Sequence, residues 1–406
     1  MNRRKELPTA SYGTIFNDPD GENRDRETMV DLSWEGELAN AWQGMARAGY
    51  QRYEYGADWP YDYAEPGQPL NRVVNEDAAT SESIGGEVRI STEIIPRNRL
   101  TAGAALRNTF RLDQQYVDSG KTVLDSRKDQ TDFGVYLQDE IRIFSWALAN
   151  VGLRYDRLEP YGDSHVSPRT ALILTPTEKS VFKLIYGEAF RAPSAYERFY
   201  GDGGVSIKPN PKLAPETIRT YEFVWEQRVV EWFQLNTAVY RYEIQDLISQ
   251  IVDPADELLV FRNVEKVKAQ GVEFEGRLDL PGDIKVRGSY AYCRAKDADT
   301  GERLSNSPEH MAKMNLLAPL FARNVTVGPE IQYVSARTTV GGTKLADVIL
   351  VNANLLARNV KGDFELVLSV YNVFDKKYSV PVGEEILGGS VEQDGRTFRI
   401  KATKRF

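Results

Sequence analysis

The chain has 406 residues, with 51 Lys and Arg against 59 Asp and Glu, and its formal net charge of −8 argues against nucleic acid as a partner. No run approaches the roughly 18 to 20 consecutive apolar residues of a membrane helix, which excludes helical membrane proteins but not barrels, whose strands are apolar only at alternate positions. Cys293 is the single cysteine and His165 and His310 are the only histidines; no intrachain disulfide can form, no metal-ligand spacing is present and no cofactor is expected.

Residues 1–10 hold Arg3, Arg4 and Lys5 with no apolar stretch after them. They do not read as a signal peptide, so an exporting segment would lie outside this chain. From there on, about seventeen strand-length segments alternate with period two, which puts their apolar and polar side chains on opposite faces. The first, 27–34, is followed by a short turn at 36–41. Ile84, Val88 and Ile90 oppose Glu87, Arg89 and Ser91. Ala147, Ala149, Val151, Leu153 and Tyr155 oppose Asn150, Arg154 and Asp156. Tyr221, Phe223 and Trp225 oppose Thr220, Glu222 and Glu226. Val272, Phe274 and Leu278 oppose Glu273, Glu275 and Arg277, and Val286, Tyr290 and Tyr292 oppose Lys285, Arg287 and Ser289. Phe364, Leu366, Leu368 and Val370 oppose Glu365 and Ser369, with Val367 breaking the pattern. In the last segment Phe398, Ile400, Ala402 and Phe406 oppose Arg399, Lys401, Thr403 and Arg405, and no turn residue follows. Helical periodicity is weak throughout, and the fold class is all-β.

The connections alternate in length. Long ones are expected at 115–130, 192–216, 244–269, 295–309, 335–347 and 375–395. Short ones fall between them, at 95–98, 176–179, 228–231, 281–283, 321–324 and 359–362. Pro281, Gly282 and Asp283 suit a tight turn, because Gly and Asp tolerate positive φ. Long loops kept at one end over many hairpins are the mark of an antiparallel transmembrane β-barrel, in which lipid takes the apolar face and a wet lumen the polar one. A soluble sandwich or propeller has no such need.

Four motifs in order sharpen this. Residues 186–194 read Tyr-Gly-Glu-Ala-Phe-Arg-Ala-Pro-Ser, 210–216 read Asn-Pro-Lys-Leu-Ala-Pro-Glu, 271–275 read Gly-Val-Glu-Phe-Glu, and 371–378 read Tyr-Asn-Val-Phe-Asp-Lys-Lys-Tyr, with Phe406 ending the chain. Their order and spacing resemble the barrel of TonB-dependent outer-membrane receptors over roughly the whole chain. Each motif also has an architectural reading. Pro193 ends ladder pairing because it lacks an N–H, and Asn372 and Asp375 can bond nearby backbone where strand gives way to loop.

The resemblance implies localisation in the outer membrane of a Gram-negative bacterium, among its lipids, and active uptake of a scarce, bulky nutrient such as a ferric siderophore, another metal chelate or cobalamin. It implies coupling to the TonB energy-transducing complex and recognition of the terminal strand, through Phe398, Ile400 and Phe406, by the barrel-assembly machinery. Arg191, Tyr196, Phe199 and Tyr200 are candidate ligand contacts in the loop 192–216; the same aromatics could instead cover the barrel mouth. Arg154, Glu273, Arg277, Arg287, Arg399 and Lys401 form a lumenal row that could face substrate or simply keep the lumen wet. No carboxylate pair of glycosidase type stands out, so no catalytic residue is named and the chain is not expected to be an enzyme. The family closes about 22 strands around an N-terminal plug. Against that pattern, 1–406 is expected to be a C-terminal portion of a barrel, without plug or TonB-contacting segment, and with an odd strand count whose two end strands both run inward. A plugless porin-like channel or a surface adhesin is the alternative.

Overall fold

The computed structural model describes residues 2–6, 11–320, 324–360, 363–386 and 388–404. β1 (Asn2–Glu6) and β2 (Glu22–Ala39) open the chain. They are followed by β3 (Trp42–Asp62), β4 (Arg72–Thr92), β5 (Asn98–Asp118), β6 (Lys121–Phe144), β7 (Ala147–Glu159), β8 (Asp163–Thr177) and β9 (Ser180–Arg191). After the short helix α1 (Ala195–Phe199) come β10 (Glu216–Val230), β11 (Phe233–Val252), β12 (Leu259–Leu280), β13 (Ile284–Asp297), β14 (His310–Leu320) and β15 (Val325–Val334). Two small hairpins, β16 (Arg337–Thr338) with β17 (Lys344–Leu345) and β20 (Ser379–Pro381) with β21 (Ser390–Glu392), flank β18 (Val348–Val360) and β19 (Phe364–Tyr371), and β22 (Thr397–Lys404) is last.

Eighteen of the described strands form one antiparallel sheet in which each pairs with the next along the chain. That is one strand more than the alternation predicts. The extra member is β1, whose five residues are all polar and so carry no periodic signal. Charge holds it instead: Arg4 pairs with Glu22, and Lys5 lies 3.7 Å from Asp25. Because β1 runs antiparallel to β2, the count is even and the expected clash of two inward-running end strands does not arise. Among the described residues β1 and β22 do not pair with each other, so the sheet has two free edges.

Two expected loops are corrected. Over 115–130 the strands β5 and β6 continue to a two-residue turn at Ser119 and Gly120, both at positive φ. Over 244–269, β11 and β12 continue and leave only 253–258 unpaired. In both hairpins the register shifts at bulges, which let a ladder continue while the strand twists away from the sheet plane. The loops at 192–216, 295–309, 335–347 and 375–395 stand, and the turn 281–283 has Gly282 and Asp283 at positive φ. The turns at 321–324 and 359–362 lie largely outside the described residues.

Cross-strand register carries one face through the whole sheet. Leu184, Phe223, Val239, Val272 and Tyr292 fall in line, as do Phe274 with Tyr290 and Leu368 with Ile400. Arg399, Arg287, Glu275 and Glu222 fall on the other face. The apolar face is exposed, with Val88 at 59%, Phe398 at 74% and Ile400 at 73% of full accessibility. Trp42, Trp146 and Trp232 bound it at the short-turn end, and Tyr50, Tyr155, Tyr186, Tyr221 and Tyr290 at the loop end. Aromatic girdles around an apolar band are what lipid headgroups on both sides of a bilayer select. Asp139 shares this face with Leu100 and Val151, and nothing in the structure explains a carboxylate there.

The polar face is concave. Asp31, Arg47, Glu87, Arg107, Asp132 and Arg154, from six consecutive strands, line one cavity of about 1030 Å³ together with residues 190–195. Charges on this face are largely paired: Arg47 lies 2.7 Å from Asp31, Arg154 2.7 Å from Asp156 and, away from the cavity, Arg287 2.7 Å from Glu275. Gly103 lets Tyr136 lie across β5, since a Cβ there would sit 2.3 Å from the ring, and the Tyr136 hydroxyl donates to Glu87 at 2.6 Å.

Candidate functional site: an aromatic chamber at the loop end

Beyond the girdle, β3 carries Tyr53, Tyr55, Ala57, Trp59 and Tyr61 at successive second positions, and alternation places them all on the concave face. Register sets Ala57 opposite Asp77 of β4, and Asp77 opposite Tyr116 of β5. Tyr116 is 2% exposed, and Asn75 donates to its hydroxyl at 2.8 Å.

The fourth wall is α1, which folds back over these strands. Ser194 caps it, accepting from the Glu197 N–H while Glu197 accepts from the Ser194 N–H at 2.6 Å; such a reciprocal box satisfies two orphan donors of a helix start. Tyr196 and Tyr200, four apart, share one helix face and enter the chamber. The opposite side is anchored by Arg198, 3% exposed, which donates to Asp163 at 2.5 Å and to the Leu213 carbonyl at 2.8 Å and stacks 4.5 Å from the Tyr161 ring. The next stretch is fixed by Asp202, whose carboxylate accepts from the N–H groups of Val205, Ser206 and Ile207 at 3.0, 2.8 and 3.1 Å.

These walls enclose about 350 Å³, lined by Tyr12, Tyr53, Tyr55, Trp59, Tyr61, Tyr116, Tyr196 and Tyr200, with Asp77, Asp202, Gln114, Ser206 and Ile207 among the remaining residues. The Tyr12 and Tyr196 hydroxyls are 3.0 Å apart, and Tyr200 donates to Asp77 at 3.0 Å. Tyr196 packs on Tyr200 at 4.8 Å and edge-on to Phe261 at 5.7 Å. Burial pushes the Asp77 carboxyl up to about 6, against the lowering effect of the Tyr200 hydroxyl. Burial also raises the Tyr12, Tyr196 and Tyr200 phenols, helped by the charge of Asp77.

The loop residues singled out from the sequence therefore separate. Tyr196 and Tyr200 line the chamber. Phe199 points away from it, 5.7 Å from Tyr161 and beneath Lys128 at 5.1 Å. Arg191 ties the loop base together, donating to Glu216 at 2.8 Å and Glu197 at 2.9 Å. Phe398 and Ile400 lie on the apolar face of β22, opposite Val370 and Leu368; Phe406 lies outside the described residues. The β3 aromatics were missed, although Tyr53, Tyr55, Trp59 and Tyr61 share one parity. They alternate with Arg52, Glu54 and Asp58, so the signal was present; here, beyond the membrane band, the aromatic parity takes the concave face and the charged parity the outer one.

Comparison with known proteins fits this architecture. Residues 3–373 match the family model described as TonB dependent receptor-like, beta-barrel. The heme/hemopexin utilization protein C of Haemophilus influenzae (strain 86-028NP) is 27% identical over 311 residues, covering 67% of this chain and 43% of that protein. The ferrioxamine receptor of Yersinia enterocolitica is 25% identical over 314 residues, covering 71% and 41%. The solved FrpB iron transporter from Neisseria meningitidis superposes with a TM-score of 0.74 at 17% identity, covering all of this chain and 68% of that one. The chain thus spans less than half the length of the curated relatives it matches. On its sheet, its motifs and the family match, it belongs to the TonB-dependent receptor β-barrel family.

Proposed function

We propose that the chain forms barrel wall and ligand-capturing mouth of an outer-membrane receptor for TonB-dependent uptake of a bulky, scarce nutrient of the ferric siderophore, metal-chelate or cobalamin kind. The carrying observation is the chamber: an enclosed aromatic cavity at the long-loop end, above a girdled apolar band. Aromatic faces with a few placed polar groups are what a specific small-molecule site needs, and a porin-like conduit has no use for them. In this reading the chain is a C-terminal part of the receptor, which the partial coverage of its relatives and the two free sheet edges support. Unpaired backbone in lipid costs several kcal/mol per group, so the remaining strands would complete the wall.

Phe398, Ile400 and Phe406 would present the last strand to the barrel-assembly machinery, and removing Phe406 should lower the amount of assembled protein in the outer membrane. The transport reading is tested in the host. Deleting the gene should abolish uptake of one of these complexes, restoring it should rescue uptake, and a protonophore should block the rescue. Rescue that persists with the gradient collapsed, or that extends to unrelated small solutes, would establish a passive channel instead.

A further inference from the structure

We infer that the chamber selects a positively charged group, an alkylammonium or similar organic cation carried by the imported molecule. This rests on the uptake reading and names the chemistry of its ligand.

Three observations converge. Eight aromatic residues surround the cavity, and no Lys, Arg or His is among its lining residues. The ionised groups that do line it are Asp77 and Asp202, and among the described residues neither forms a salt bridge. An aromatic cage with uncompensated carboxylates attracts cations through both the ring quadrupoles and simple charge.

Hydrogen-bond polarity points the same way. Tyr200 gives its proton to Asp77 at 3.0 Å and Tyr53 gives its own to Asp25 at 2.6 Å, so neither is available to an anion. Gln114 is 7% exposed, and its Oε1 has no partner among the described residues. A buried acceptor left open is rare in folded proteins and calls for an explanation; an N–H donor on the ligand supplies one. An anionic group would find the remaining phenol hydroxyls as donors but no cation to balance it, and would meet two carboxylates and an open carbonyl.

Asp202 is already saturated by three backbone N–H groups and the Ser206 hydroxyl, so it contributes field rather than contact. Asp77 is the contact carboxylate. It is half-buried and faces the Tyr200 hydroxyl, the Trp59 indole and the Ala78 N–H, with the Tyr12, Tyr55 and Tyr196 phenols close enough to feel its charge. Binding of a cation should therefore weaken as pH falls from 7 to 5 and Asp77 takes up a proton.

The test uses outer membranes from the host producing the full protein, with membranes of the deletion strain as blank. Radiolabelled benzylammonium, a cation that also carries N–H donors, is compared with neutral benzamide and anionic benzoate. The cation should bind saturably and about tenfold more tightly than benzoate. Asp77→Asn, which keeps the shape, should cost the cation about tenfold while leaving benzamide within about twofold. Tyr196→Leu should weaken both. Should Asp77→Asn fail to assemble, the pH series on the unaltered protein reads the same charge. Benzoate binding as tightly as the cation, no saturable cation binding, or a flat pH series would each overturn the inference. Uptake measured in parallel separates the two readings: cation binding without gradient-driven uptake removes the transport function only, and uptake without cation preference removes this assignment only.

Discussion

Tyrosines occupy two regions of this molecule in opposite ways. On the outer face Tyr186 and Tyr221 pack on each other at 5.1 Å, and Tyr290 shares a 2.8 Å hydrogen bond with His310; their rings lie open to the surroundings at the edge of an apolar band. On the inner face, on β3 and β5, Tyr55, Tyr61 and Tyr116 close a cavity with carboxylates at its wall. The residue type is the same. Strand parity decides which side a ring takes, and the loop folded over it decides whether it becomes surface or site.

Releasing that loop should have the largest effect. Arg198→Ala would leave Asp163 partly buried without its partner, a loss of about 3–5 kcal/mol for a broken buried pair. The outer face should be untouched, while the segment 201–212 should become open to limited proteolysis at Lys208 and Lys212. Protection equal to the unaltered chain would show that α1 is held by something else.

Next in size is a charge on the apolar face. Val88 pairs with Ala46 midway between Trp42 and Tyr50, so Val88→Arg should cost about 2–4 kcal/mol in a bilayer. Gln138→Arg, on the polar face, should cost less than about 1 kcal/mol, because the lumen is wet. Denaturant unfolding in lipid vesicles measures both, and equal losses would contradict the assignment of faces.

Protonation of Asp77 gives a smaller, conditional effect. Its folded value, about 6 against an ordinary 3.8, means that the folded chain binds this proton more tightly than the unfolded one. Ionised Asp77 therefore destabilises the fold above pH about 6, and the penalty fades as pH falls towards 4, by roughly 2–3 kcal/mol at most. Asp77→Asn should remove that part of the pH dependence between 4 and 7. A variant with the same slope as the unaltered protein would place the titration elsewhere.

The least effect is expected from Ser194→Ala. Losing the cap of α1 should cost about 1 kcal/mol, seen as a modest rise in proteolysis of 192–216 well short of that caused by Arg198→Ala. A loss as large as that of Arg198→Ala would mean that the cap, not the buried arginine, docks the loop.

Much of this was legible along the chain, because a strand writes its two environments into alternate residues. Phe274 against Glu275, or Phe398 against Arg399, states which side meets lipid without any knowledge of the neighbours. The turn at Gly282 and Asp283 is equally local, since positive φ is a property of those residues. What local pattern could not supply were partners distant in sequence. β1 is legible only through the carboxylates of β2 that hold it, and the extended hairpins over 115–130 and 244–269 only through pairing that persists past polar residues. The chamber is the extreme case. Tyr200 meets Asp77 across more than a hundred residues, and Tyr12 meets Tyr196 across still more. No periodicity encodes such a meeting, because it exists only when the sheet curls and α1 folds back over its concave side.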